Sequence, residues 1–338
     1  MAAANLPGRF CAFPARHMAR LALWLTLLLG LLACTPPPPD PLRIAVGPFP
    51  GYEPIYLARD LGLLDSNQIR LVEYAPGSQS LRAYRNGVVD GAALTADEVL
   101  LLAREGYNPR IIAVLDQSNG IDVVMARPEI VALSDLRGRR IGVENTALGA
   151  YFLSRVLYFA GLGRDEVELV TVELAEHTRA YSQGRVDALI TFAPQRELLR
   201  AAGAHQLFDS SLIPGEILDL LVVREAVLDK RADAVVHLLT GLFAALDYLK
   251  RDPADAVQRM APRVSMEPAA FHEALTELHL PDQEHNRELL GGDPSPLETT
   301  LTGIMEIMLE EGLLDEPVNI HRLIRPAPLT AVARQPGG

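Results

Sequence analysis

The sequence predicts an α/β protein of two similar lobes joined by two crossing strands, with a helical C-terminal tail packed back on the first lobe. Three observations carry this. From Arg43 to about residue 124, short apolar runs alternate with helical patterns, as in a parallel, helix-covered sheet. From Arg140 the alternation restarts and repeats residue by residue. Arg82-Ala-Tyr-Arg-Asn-Gly-Val-Val-Asp90 aligns with Arg179-Ala-Tyr-Ser-Gln-Gly-Arg-Val-Asp187, and at the same offset Arg43, Ile44 and Val46 match Arg140, Ile141 and Val143. Beyond Ile217 one strand-like run remains and the rest reads as helix.

A leader precedes the fold. Arg9, Arg16 and Arg20 make residues 1–33 basic with no acid among them, and 21–32 form an apolar run suited to a signal-peptide core but short for a membrane span. The run ends in Leu31-Leu32-Ala33-Cys34, which resembles a bacterial lipobox with Cys34 as the lipidated mature terminus; the alternative is a plain signal peptide with an incidental Cys. Residues 34–41, with four consecutive prolines, read as a stiff tether. Cys11 leaves with the leader and Cys34 would carry lipid, so thiol catalysis, disulfides and Cys-based metal sites are not expected. Losing three arginines takes the net charge from −12 to −15, a poor balance for nucleic acid. Roughly 300 residues then remain, enough for two lobes.

The first lobe is assigned to 42–126 and 216–330, the second to 127–215, and 331–338 to a disordered tail. First-lobe strands are expected at 44–46, 69–74, 91–94, 110–115 and 122–125, with helices at 54–63, 78–86 and 97–105. Second-lobe strands are expected at 141–143, 168–172, 188–191 and 206–208, with helices at 150–160, through Tyr181, and at 195–202. The strand-like run 218–223 precedes tail helices at 232–250, 253–260, 268–277 and 297–311. The runs 122–125 and 218–223 bracket the second lobe and are read as its two crossings. In each repeat Gly87 or Gly184 caps a helix, and Asp90 or Asp187 leads into the next strand.

The stretch after the first strand organises the rest. Gly47-Pro-Phe-Pro-Gly51 forces a turn, Glu53-Pro54 opens a helix with an acid near its positive end, and Gly62 ends it. Its free N–H groups and the rings of Phe49 and Tyr52 suit a ligand loop; an ordinary strand-to-helix connection is the alternative.

With these pieces in place, the chain resembles a known family. The lipobox, "Ala-Arg-Asp-Leu-Gly-Leu-Leu" at 58–64, "Ser-Asp-Leu-Arg-Gly-Arg-Arg-Ile-Gly-Val" at 134–143 and the repeated Gly-x-Val-Asp turns are similar to substrate-binding proteins of ABC importers, in the nitrate/sulfonate/taurine and thiamine-precursor group. The resemblance covers about 42–325. It implies the type II periplasmic-binding-protein fold, with a cleft that closes on a small-molecule ligand by hinge motion. It also implies an extracytoplasmic monomer held to the membrane through Cys34, permease and ATPase partners, and no cofactor or metal.

If the carboxyl ends of both sheets face the cleft, its lining loops are 49–52, 77–80, 95–96, 116–120, 144–149 and 191–194. The candidates there are Phe49, Tyr52, Glu53, Ser78, Gln79, Thr95, Asp116, Asn145, Thr146 and Phe192. Ser78 and Thr146 serve equally as helix caps, and Tyr151 and Phe152 suit core or cleft. None of the six loops holds Lys or Arg, while Glu53, Asp116 and Glu144 lie in or beside them with Asp97, Glu98 and Asp122 adjacent. This leans towards a neutral or cationic nitrogen compound rather than a sulfonate, nitrate or phosphonate; the acids are otherwise solvated helix-start residues.

Enzymes share this fold, so fold does not decide. The chain lacks the Cys-rich motif of the fungal thiamine-pyrimidine synthases it resembles, its leader would direct it away from the cytoplasmic dehydratases of menaquinone synthesis, and Gly-x-Ser-x-Gly is absent. His272-Glu273 opens like a zincin helix, but Thr276 occupies the second ligand position. A non-enzymatic binding protein is expected, with a ligand-sensing lipoprotein lacking its own transporter as the alternative.

Overall fold

The computed structural model describes residues 39–74 and 78–332. The leader, Cys34, most of the tether, Gly77 and residues 333–338 lie outside the described residues.

The first half builds β1 (Leu42–Val46), β2 (Ile69–Glu73), β3 (Gly91–Thr95) and β4 (Pro109–Ser118), interleaved with helices Glu53–Asp60, Ser78–Arg85 and Ala96–Arg104. The middle builds β5 (Val123–Ala126), β6 (Arg140–Val143), β7 (Glu168–Thr171), β8 (Ala188–Thr191) and β9 (His205–Asp209), with helices Ala147–Ala160, His177–Ser182 and Gln195–Ala201. Then come β10 (Leu218–Arg224), the long helix Ala232–Arg251, helices Pro253–Met260 and Pro268–Thr276, the short β11 (Leu278–His279) and helix Pro296–Glu310. Three further helices, Glu225–Lys230, Gln283–Leu290 and Ala327–Ala331, have no counterpart in the sequence expectation. Gln283–Leu290 is polar but for its last two residues, so its apolar stripe is too short to read.

The strands form two sheets, ordered β11-β4-β10-β3-β1-β2 and β7-β6-β8-β5-β9. Read from opposite edges, they share one plan. β1, β2 and β3 run parallel, as do β6, β7 and β8, and one antiparallel strand is inserted in each: β10 between β3 and β4, β5 between β8 and β9. This corrects the expectation of purely parallel sheets. It also corrects the lobe boundary, because Val123–Ala126 pairs within the second sheet rather than closing the first lobe at 126. The reason is directional. A strand arriving from the other lobe enters its sheet from the cleft end, so it must run against strands that point towards the cleft.

The internal repeat is physical. Arg43 N–H donates to Asp90 Oδ2 at 2.8 Å and Arg140 N–H to Asp187 Oδ2 at 2.9 Å, both across 47 residues. Gly87 and Gly184 take φ of 70° and 69°, the left-handed geometry that closes each preceding helix.

Residues of the tail share one core with the first sheet, and helix Ala232–Arg251 packs on helix Glu53–Asp60. The second sheet is covered on both faces: Val124 and Ala126 point into one cluster, Val123 and Met125 into another. The chain leaves the first sheet after Ser118 and returns at Leu218. The two passages are tied together there. Ser118 Oγ donates to Asp122 Oδ2 and lies against Ser210 Oγ, each at 2.6 Å, and Ser118 N–H donates to the Ile217 carbonyl at 3.0 Å.

Candidate ligand-binding cleft

The end of β1 delivers Gly47, Pro48 and Phe49 to the space between the sheets, and the tight turn Pro50–Tyr52 aims Tyr52 inward. From the second lobe, β8 delivers Phe192, whose ring meets Phe49 edge-on at 5.5 Å; Phe49 in turn meets Tyr52 at 5.2 Å. Behind these rings lies a cavity of about 290 Å³, with Ser78, Ser80, Thr95, Thr146, Glu98, Asp122, Glu144, Glu173 and Asp219 on its walls. Among the described residues, the lining holds five carboxylates and no Lys, Arg or His.

Six of the ten residues proposed from sequence meet here: Phe49, Tyr52, Ser78, Thr95, Thr146 and Phe192. Thr146 keeps its capping role as well, its Oγ1 accepting from Gly149 N–H at 3.0 Å. The other four lie elsewhere. Glu53 is fully buried and pairs with Arg263 at 3.0 Å, a partner from the tail that no local pattern announces. Burial raises the Glu53 pKa to about 7 against the pull of Arg263. Gln79 faces solvent while its neighbour Ser80 faces the cavity, a matter of helix phase. Asn145 borders a second hollow of about 850 Å³, between helix Ala147–Ala160, β7 and Glu311. Asp116 is buried under the Pro50–Tyr52 turn, so close that a Cβ on Gly51 would sit 2.1 Å from its Oδ2.

The acids the sequence left at the margin, Glu98 and Asp122, line the cavity, and Asp219 was missed outright. Asp219 is the second residue of β10, and Asp122 immediately precedes β5. Both strands start at the cleft, whereas the loops expected to line it follow strand ends. Asp219 lies across from Thr95 on one side and Asp116 on the other. The Tyr52 hydroxyl donates to Asp219 Oδ1 at 2.6 Å.

Burial is the first cause of every shift in this group. It raises Asp219 to about 7, against the hydrogen bond from Tyr52, and Glu98 to about 8, with Asp97 adding repulsion. Asp116 is pushed well above the carboxylate range by burial and then by Asp219, with which it shares a hydrogen bond. Asp122 rises only to about 6, because the Ser118 hydroxyl and the charge of Arg196 oppose its burial. Buried carboxyls with raised pKa in an aromatic-walled cavity are the combination that identifies a candidate functional site. The 850 Å³ hollow shows no such convergence.

Comparison with known proteins agrees with this architecture. A Haemophilus influenzae protein named for thiamine biosynthesis is 25% identical over 275 residues, 78% of this chain and 84% of that protein. The alkanesulfonate-binding protein SsuA of Xanthomonas axonopodis, solved with bound MOPS, superposes with a TM-score of 0.70 at 18% identity, covering 86% of this chain and 99% of that one. The ligand-binding component of an ABC-type import system from Staphylococcus aureus, solved with zinc, gives 0.71 at 15% identity over 88% and 100%. The desulfurization enzyme DszB gives 0.64 at 20% over 86% and 98%, so the fold is shared by binders and a catalyst. The NMT1/THI5-like family matches residues 50–256, from the turn behind Phe49 through the whole second lobe and into the tail, and the chain belongs to that family.

Proposed function

We propose that this chain is the extracytoplasmic solute-binding component of an ABC importer, capturing a small organic compound in the interlobe cavity by hinge closure. One observation carries the reading: a cavity of about 290 Å³ walled by an aromatic ring from each lobe and set above two hydrogen-bonded crossing passages. Closure about those passages brings Phe192 onto whatever rests against Phe49 and Tyr52. The acidic, aromatic lining favours a neutral or cationic nitrogen compound. Lipidation at Cys34 would tether the protein at the membrane beside its permease and ATPase.

A thermal-shift panel of small solutes, followed by small-angle scattering with the best hit, tests this. A stabilising hit with a smaller radius of gyration supports it; an unchanged radius at saturation removes hinge closure. Labelled fatty acid entering the protein, and lost in Cys34→Ser, supports the anchor. Chemical turnover of the hit would move the chain to the enzymes of this fold.

A further inference from the structure

We propose that Asp219, which lines the cavity together with Glu98 and Ser80, is the charge-selecting contact of the cleft, and that it takes a protonated N–H group carried on a flat organic ring. This rests on the solute-binding reading and names its substrate class and recognition residue.

Four observations converge. Asp219 is 4% exposed and lines the cavity, and its hydrogen-bond partners among the described residues are Tyr52, itself a cleft wall, and the buried acid Asp116. Its neighbour across the strand pair is another acid, Asp116, and no Lys, Arg or His among the described residues lines the cavity. Arg196, the base nearest in effect, serves Asp122 and is already held by Glu197 and Glu277 at 2.7 and 2.6 Å. The fourth observation is independent of the acids. Ser80 Oγ borders the same cavity, is 2% exposed, and has no hydrogen-bond partner among the described residues. A buried hydroxyl without a partner is costly, and an entering N–H group satisfies it. A cation therefore gains a carboxylate, a hydroxyl acceptor and two aromatic walls, Phe49 and Phe192. An anion meets five acids and no base.

Benzamidinium, benzamide and benzoate share one ring and differ in head-group charge, so they serve as matched probes beside a wider set of amines, heterocycles and sulfonates. The expected result is that the cation binds, its neutral isostere binds at least about tenfold more weakly, and benzoate does not bind. Asp219→Asn keeps shape and the acceptor for Tyr52, and should cost about 30-fold or more in affinity for the cation. Glu98→Gln gives a second variant should the first fold poorly. If a solute binds but both variants stay within threefold of the parent, this inference fails and the solute-binding reading stands. If benzoate or a sulfonate binds, and binds better to Asp219→Asn, the sign of the charge is wrong. If nothing in the set binds, both readings fall.

Discussion

Asp219 and Asp122 occupy equivalent positions in the two lobes. Leu220 pairs with Leu94, and Val123 pairs with Thr191, at the shared offset of the repeat; each aspartate stands one residue ahead, at the mouth of an inserted antiparallel strand. Their surroundings differ. Asp122 accepts from Ser118, sits beside the passage residue Ser210, and feels Arg196. Asp219 faces Asp116 and leans on a cleft tyrosine. The fold tolerates an acid at this position in both lobes, but only one of the two has a base acting on it. The one with a base beside it joins the passages, and the other shares hydrogen bonds with a cleft tyrosine and a second acid.

Removing that base should have the largest effect. Arg196 is 2% exposed, and Arg196→Ala strands Glu277 and removes the positive charge that acts on Asp122. A loss of about 3 kcal/mol in unfolding free energy is expected, the low end for breaking a buried pair because Glu277 keeps some solvent contact. Urea denaturation measures it, and a loss under about 1 kcal/mol would mean that Arg196 supports neither acid.

Next, the two aspartates should separate by function. Asp219→Asn should abolish most cation affinity while leaving unfolding nearly unchanged. Asp122→Asn should do the reverse, costing about 1–3 kcal/mol through the Ser118 contact with affinity changed only a few-fold. Calorimetric titration of benzamidinium against both variants decides, and equal effects on affinity would erase the distinction.

The pH response follows from the direction of the shifts. Glu98, Asp219, Asp97 and Asp122 hold their protons more tightly when folded, to about 8, 7, 6 and 6, than in an unfolded chain, where carboxyls release near 4. Their neutral forms therefore favour the fold fully below about pH 4, and that contribution is lost as pH rises through 6 to 8. With Asp116 also buried beside them, the free protein should melt a few degrees lower at pH 8 than at pH 5.5. Asp219→Asn should flatten the slope, and a bound cation should reverse it. A melting point that climbs with pH in the free protein would show the acids to be ionised and compensated already.

The smallest effect is expected at the rim. Phe192→Ala removes the edge contact with Phe49 and should weaken benzamidinium by about fivefold, near 1 kcal/mol, without altering preference for charge. A change in charge preference would place the ring, rather than Asp219, at the centre of selection.

Most of the fold was legible because its signals are local: apolar runs for strands, and a Gly-x-Val-Asp turn that appears twice. What escaped depends on contacts distant in sequence. The insertion of β10 between β3 and β4 cannot be read from 218–224 alone, and with it went Asp219. Glu53 looked like a cleft acid because its partner, Arg263, lies 210 residues away. Ser80 was within the expected loop, but one helical step separates it from the exposed Gln79. Phe49, Tyr52 and Phe192 were found because aromatic rings at strand ends already combine position and chemistry.

The tie between Ser118 and Ile217 makes the second lobe an uninterrupted insertion, while the first lobe is written in two instalments. A ribosome completes the whole second sheet, β5 to β9, before β10 exists. The first sheet must wait with a gap at its middle, between β3 and β4, until residue 224 has been made, and its core must wait longer for helix Ala232–Arg251. The second lobe should thus acquire structure first during synthesis, although it comes later in the chain. Chains truncated after residue 217 should protect the second lobe from protease and leave the first open.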